Sequence, residues 1–162
     1  MIETALTVGA RSPLVITGDT PGGTGALCSL GTQDVVLNNI PYRHLPFVPN
    51  GINWVVQGGQ DVVSYNFSGC IMAVFNDGGI VKVCHVSTGA NQDCKAAWAI
   101  VKARSKNVFE FKPSDFIETG GGAFLGCYGL ITADFKTYAI TVTKNSALEV
   151  KISAIKMAHL LR

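Results

Sequence analysis

A chain of 162 residues, 48% hydrophobic and only 15% charged, is not disordered and is long enough for one domain, residues 1–162, with a sizeable core. Its net charge of +2 argues against a nucleic-acid partner or binding to an acidic membrane surface. Five cysteines without disulfide-type spacing predict reduced thiols, as in a cytosol. No signal peptide or membrane-spanning helix is predicted, so we expect a protein that is cytoplasmic as made.

Short apolar segments bounded by turn residues predict β-strands along the first part of the chain. They cover residues 5–8, 13–16, 26–30, 34–37, 53–56 and 61–65. The glycine-rich loop 17–25 lacks the Gly-Lys-Ser/Thr ending of a phosphate-binding loop and is interpreted as a turn. The prolines of segment 41–51 predict a connection rather than a central strand, with His44 at the surface.

The second part of the chain combines hairpins with one helix. Strands are predicted at 71–75 and 80–86, then at 124–132, 138–143 and 148–155. Segment 91–104 is rich in helix-forming residues and predicts a helix whose buried stripe is Cys94, Ala97, Trp98 and Val101. We therefore predict an α/β chain of the α+β type: a sandwich of mixed, mainly antiparallel β-sheets flanked by one or two helices.

The first of these hairpins predicts a reactive pair. If Asp77 and Gly78 form the two-residue loop that this dipeptide favours, Cys70 lies directly opposite His85. Directly opposed residues of an antiparallel pair have Cβ atoms roughly 4.5–5.5 Å apart. An imidazole at that distance can take the thiol proton or hold the thiolate, which makes a nucleophile. The spacing therefore predicts a Cys–His dyad.

The residues around this pair suit such chemistry. Gly69 lets the backbone turn sharply and leaves room for a substrate to approach the sulfur of Cys70. Ser64 and Ser68 supply short hydroxyls, either of which could orient the imidazole of His85. Backbone N–H groups around Gly69 and Cys70 are candidate oxyanion donors.

Other interpretations of the same residues remain open. Cys70 can be a small buried hydrophobic residue and His85 a hydrogen-bonded core histidine. Cys28 is an alternative nucleophile in a papain-like arrangement, but glycines at 25 and 31 break the helix that it would need. A zinc site from Cys70, Cys84, His85 and Cys94 lacks any Cys-x-x-Cys pair, so neither a metal nor another cofactor is predicted.

The segment around the dyad resembles a known family. Residues 67–70 read Phe-Ser-Gly-Cys, and a histidine follows fifteen positions later on the next strand. This is similar to the Leu-Ser-Gly-Cys…His signature of toxin-type glutamine deamidases, the group that includes Burkholderia lethal factor and the catalytic domain of cytotoxic necrotizing factor. The departures are a phenylalanine for the usual leucine and Ser64 in place of a threonine. The resemblance is confined to residues 64–89.

The resemblance implies a bacterial toxin or effector that is delivered into a host cell and converts glutamine to glutamate in a target protein, such as a host GTPase or translation factor. It assigns Cys70 as the nucleophile, His85 as its base and Ser64 as the hydroxyl that orients the dyad. A thiol protease or a transglutaminase would use the same dyad, and a non-catalytic β-sandwich binding module would use Cys70 only for packing.

Overall fold

The computed structural model describes residues 2–16, 27, 29, 32–89 and 94–160. Within these ranges the chain forms ten strands, one α-helix and two short 3-10 helices, Ile2–Ala5 and Pro113–Phe116. The strands and the helix are β1 (Gln33–Leu37), β2 (Ile40–Leu45), β3 (Ile52–Val56), β4 (Asp61–Ser64), β5 (Ile71–Asp77), β6 (Ile80–Val86), α1 (Cys94–Arg104), β7 (Lys106–Phe111), β8 (Ala123–Ile131), β9 (Lys136–Lys144) and β10 (Val150–Leu160).

The strands form two sheets, which confirms the predicted α+β sandwich. One sheet has six strands in the order β1-β2-β4-β8-β9-β10, and the other has four in the order β3-β6-β5-β7. Among the described strand pairs only β2–β4 is parallel, so the sheets are mainly antiparallel. Both sheets are covered on their two faces, which explains the long apolar runs of their central strands.

Three apolar clusters build the layers. The cluster between the sheets contains Leu45, Val62, Phe67, Met72, Val83 and Ile131. Residues from the amino-terminal segment 2–16 cover the outer face of the six-stranded sheet. Helix α1 covers the outer face of the four-stranded sheet through Cys94, Trp98 and Val101, three members of the predicted stripe. No helix among the described residues is both long and apolar enough to span a bilayer.

The β5–β6 hairpin is present, but its register differs from the predicted one by two residues. Gly78 and Gly79 form the turn with φ of 62° and 91°, and Asp77 pairs with Ile80. Met72 therefore lies opposite His85, and the prediction that Cys70 lies there was wrong. Because a shift of two residues keeps every side chain on its face, Cys70 still belongs to the face that points between the sheets.

Several other predictions need correction. His44 is a buried residue of strand β2, not a surface loop residue, because the chain pairs with two neighbours in spite of its prolines. Pro41 precedes the residues paired with β4, which begin at Tyr42. Segments 5–8 and 13–16 form no strand, β7 was not predicted, and β10 extends beyond residue 155. The predicted strand 26–30, Cys28 and residues 91–93 lie largely or wholly outside the described residues.

Candidate active site

The candidate residues converge between the two sheets. Ser64 is the last residue of β4 in the six-stranded sheet, and His85 lies near the end of β6 in the four-stranded sheet. Cys70 lies immediately before β5, at the end of the connection that runs from one sheet to the other. Ser64 and His85 are fully buried, and Cys70 is 8% exposed. The site therefore lies at one edge of the core, with the thiol nearest to solvent.

A hydrogen bond between Ser64 and His85 joins the sheets. Ser64 Oγ lies 2.7 Å from Nδ1 of His85 and donates its own proton to the carbonyl oxygen of Leu45, also at 2.7 Å. A hydroxyl has one proton, so the oxygen that donates to Leu45 must accept a proton from Nδ1. This arrangement selects the His85 tautomer with the proton on Nδ1. Nε2 is then the basic nitrogen, as a general base for a thiol requires.

The imidazole of His85 is enclosed by aromatic rings. Phe67 stacks on it with centroids 4.0 Å apart and an interplanar angle of 9°, and Phe47 contacts it at 5.0 Å. Burial, with a smaller contribution from the nearby charge of His44, lowers the pKa of His85 to about 3. No described group is hydrogen-bonded to Nε2. His85 is therefore a neutral, oriented base at physiological pH.

Cys70 is a neutral thiol at physiological pH, as His85 is a neutral imidazole. Burial raises the pKa of Cys70, and hydrogen bonds from the main chain and the hydroxyl of Thr88 oppose that rise. The register makes Cys70 and His85 diagonal neighbours, a relation with a typical separation of roughly 7–8 Å between backbone positions. No hydrogen bond joins the sulfur to Nε2 of His85. Proton transfer between them requires a closer approach than this state provides.

Thr88 fixes the peptide group next to the nucleophile. Its hydroxyl donates its one proton to the carbonyl oxygen of Gly69 at 2.7 Å, so it can donate to a Cys70 thiolate only by turning away from this carbonyl. Gly69 has φ of 144°, which favours glycine. The Gly69–Cys70 peptide is trans, so its N–H points opposite to its C=O. The N–H of Cys70 is thus directed away from Thr88, and no main-chain carbonyl among the described residues accepts a hydrogen bond from it. This geometry leaves it free to bind a developing oxyanion.

The remaining cysteines do not join this group. Cys84 lies on the other face of the four-stranded sheet, in the cluster that contains Cys94 and Trp98. No group of three or more metal-binding side chains occurs among the described residues, so the four-residue zinc arrangement is not formed. Cys127 is fully buried, as expected for a core residue. Ser68 is exposed, and Ser64 alone of the two serines contacts the imidazole.

Three participants were not predicted from the sequence. They are the Leu45 carbonyl that holds Ser64, the ring of Phe67 that stacks on His85, and the hydroxyl of Thr88. The hairpin contains a signal for Thr88. The chain after β6 runs beside the chain before β5, so a residue three positions after His85 lies near Cys70. The other two are contacts made by the folded sheets, which local sequence patterns do not encode.

Comparisons of the chain with protein-family models, with curated proteins and with solved structures found no match. A cavity of about 390 Å³ lies at the other end of the β5–β6 hairpin, and its lining includes none of Ser64, Cys70 and His85. The chemistry of a nucleophile depends on the side chains close to it rather than on the volume of a cavity elsewhere. The functional interpretation therefore depends on the geometry of segments 64–70 and 85–88.

Proposed function

We propose that the protein is a glutamine deamidase that acts on side-chain amides of a target protein, with Cys70 as nucleophile, His85 as base and Ser64 as the group that positions His85. The observation that carries the proposal is the chain of hydrogen bonds from Nδ1 of His85 through Ser64 to the Leu45 carbonyl. A core histidine can be held by one hydrogen bond. This histidine is held in the tautomer that leaves Nε2 free, on the face that it shares with a cysteine.

The proposed reaction begins when a glutamine side chain displaces solvent beside Cys70. Nε2 of His85 takes the thiol proton as the sulfur attacks the amide carbon, and the amide oxygen becomes an oxyanion bound by the N–H of Cys70. The imidazolium gives its proton to the departing ammonia, which leaves a thioester. Nε2 then activates a water that hydrolyses the thioester to glutamate and restores the thiol. Glutamine and water are thus converted to glutamate and ammonia, without a cofactor.

Two features of the site bear on its resting state. Cys70 and His85 are both neutral, and their hydrogen bond is not made. Catalytic hydrogen bonds are often long in the unliganded state of an enzyme and shorten when substrate binds. The proposal accordingly includes a small movement of segment 65–70 on binding. This connection contains Gly69 and an exposed Ser68, and it lies outside the regular strands.

The resemblance of segment 64–89 to toxin-type deamidases supports the choice of reaction over other uses of a thiol. It also supports the proposal that the protein is a bacterial toxin or effector whose target is a host protein, such as a GTPase or translation factor. The observed contact between Ser64 and His85 agrees with the role that the resemblance gives to Ser64. The target itself is left to experiment.

The test is mass spectrometry of a eukaryotic lysate incubated in water enriched in heavy oxygen. Wild-type protein should convert glutamine to glutamate at defined sites and place heavy oxygen in the new carboxylate. Cys70→Ser should abolish the conversion, whereas Cys94→Ala, which changes a buried cysteine on α1, should retain it. Equal conversion by Cys70→Ser would refute the proposal.

The same experiment separates the related thiol chemistries. New peptide termini that depend on Cys70 would identify a protease. Amine incorporation at glutamine, when a primary amine is added to the lysate, would identify a transglutaminase. If no product depends on Cys70 in eukaryotic or bacterial lysates, the protein is a binding module in which this cysteine serves for packing.

A further inference from the structure

A second site is indicated at the opposite end of the β5–β6 hairpin from Cys70. A cavity of about 390 Å³ opens there, a size typical of pockets for small ligands. Its walls are mostly apolar, and they come from β5, β6, β7 and the turn between β8 and β9. The lining residues are Val74, Phe75, Asn76, Val81, Asn107, Val108, Phe109 and Phe135. None of these lining residues belongs to the candidate active site.

The chain is distorted where it lines this cavity. The pairing of β5 with β7 shifts register between Val74 and Asn76, which marks a β-bulge. Phe135 has φ of 63°, a left-handed conformation that is unfavourable for a phenylalanine, and Asn107, a residue type that tolerates this conformation, has φ of 53°. Bulges and such conformations are frequent at ligand sites, because they direct side chains that regular strands would not. Here they occur in a lining that includes the ring of Phe135 and the carboxamides of Asn76 and Asn107.

A second cavity of about 350 Å³ adjoins the first and shares Asn76 with it. It is lined by the turn glycines Gly78 and Gly79 and by two cations, Arg104 and Lys106. Asp77 directly precedes these glycines and is paired with Lys82 at 3.1 Å and with Arg104 at 3.3 Å. Two cations are thus paired with one carboxylate, and Lys106 adds a further positive charge, which favours an anion.

From these neighbouring cavities we propose that this end of the sandwich binds a mononucleotide. The base lies in the first cavity against Phe135, because aromatic side chains stack on the planar face of any base. Phe109 lines the same cavity with its ring stacked on His159 at 5.2 Å. Asn76, whose Oδ1 accepts from the N–H of Gly79 at 2.8 Å, offers its amide N–H groups to the edge of the base, and the carboxamide of Asn107 offers a donor and an acceptor. The phosphate lies in the second cavity near Arg104 and Lys106. The low overall charge of +2 fits one phosphate group rather than a polymer backbone.

The proposal is tested by calorimetric titration of the full chain at low salt with adenosine and guanosine 5′-monophosphates. Phe135→Gly removes one aromatic wall and suits the positive φ, while Lys106→Ala removes one exposed cation. Each variant should weaken nucleotide binding about tenfold, in line with the loss of one stacking or charged contact. Lys144→Ala, which removes an exposed lysine at the far end of β9, is the matched control and should bind like wild type.

Two further ligands divide the contribution of base and phosphate. Adenosine, without a phosphate, and ribose 5-phosphate, without a base, should each bind more weakly than either mononucleotide. The proposal is overturned if neither mononucleotide binds in the millimolar range, if ribose 5-phosphate binds as tightly as both, or if Phe135→Gly and Lys106→Ala bind like wild type. Cys70→Ser should retain nucleotide binding, so the outcome does not depend on the proposed deamidase activity.

Discussion

The buried imidazole of His85 makes the stability of the protein dependent on pH. Its pKa is about 3 in the folded chain and 6.5 in the unfolded chain, so between these values only the unfolded chain binds the proton. The free energy of unfolding therefore falls as pH decreases below 6.5, by about 1.4 kcal/mol per pH unit. At pH 5 the loss is about 2 kcal/mol, and it is absent above pH 7.5. His44, whose pKa is also lowered by burial, adds a loss of the same sign.

Urea unfolding at pH 7.5 and pH 5 measures this effect. His85→Asn removes the titration and keeps an amide N–H that can donate to Ser64, so its loss of stability between the two pH values should be about 2 kcal/mol smaller than that of wild type. His159→Asn, at an exposed position of β10, should lose as much as wild type does. If His85→Asn lost as much as wild type, or if NMR showed His85 titrating near 6.5 in the folded protein, the argument from burial would be wrong.

Substitutions at Ser64 and Thr88 probe the candidate site, and one at Gly129 probes the packing between the sheets. Ser64→Ala should lower kcat for deamidation at least tenfold, since it releases the tautomer of His85, and Ser64→Thr should restore it; steady-state kinetics on the identified target checks both. Thr88→Val should slow alkylation of Cys70 by iodoacetamide about tenfold at fixed pH and Thr88→Ser should reverse this, because hydrogen bonds to a thiolate lower its pKa. Gly129→Ala would press its new carbon against the sulfur of the buried Met72, and should lower the free energy of unfolding by about 1–3 kcal/mol in urea titrations.

Most strands were predicted because the local sequence of each one has the pattern of a β-strand. Apolar and β-branched runs between glycines identified β3, β4, β5, β6, β8 and β9 close to their observed bounds. Strand β2 was missed because Pro41 and Pro46 suggested a loop, whereas pairing with two neighbours overrides that local preference. The predicted strand 5–8 is not formed, and its first residue belongs to the 3-10 helix Ile2–Ala5, since a short apolar segment does not by itself distinguish a strand from a helix.

For the candidate site, the sequence predicted the face that Cys70 and His85 share but not the distance between them. An Asp-Gly loop and a Gly-Gly loop both suit a tight turn, and choosing between them moves the partner of His85 from Cys70 to Met72. The face of the sheet on which each side chain lies is the same for both loops, because the two registers differ by two residues. The contact of Ser64 with His85 links strands of different sheets, so no local pattern encodes it. The motif resemblance indicated Ser64, and the packing of the two sheets sets its distance of 2.7 Å from Nδ1 of His85.

The neutral state of the pair leads to a last prediction, on the reactivity of Cys70 itself. Burial raises the pKa of Cys70 and lowers that of His85, so both shifts oppose a resting thiolate–imidazolium pair. The rate of alkylation by iodoacetamide should therefore rise about tenfold per pH unit through the neutral range, without a plateau below about pH 9. Peptide mapping separates the alkylation rate of Cys70 from that of the other cysteines. Cys70 is slightly exposed, whereas Cys84 and Cys127 are fully buried and should react more slowly. A plateau near neutral pH that disappears in His85→Asn would mean that the ion pair exists before substrate binds, and proton transfer would then not wait for the glutamine.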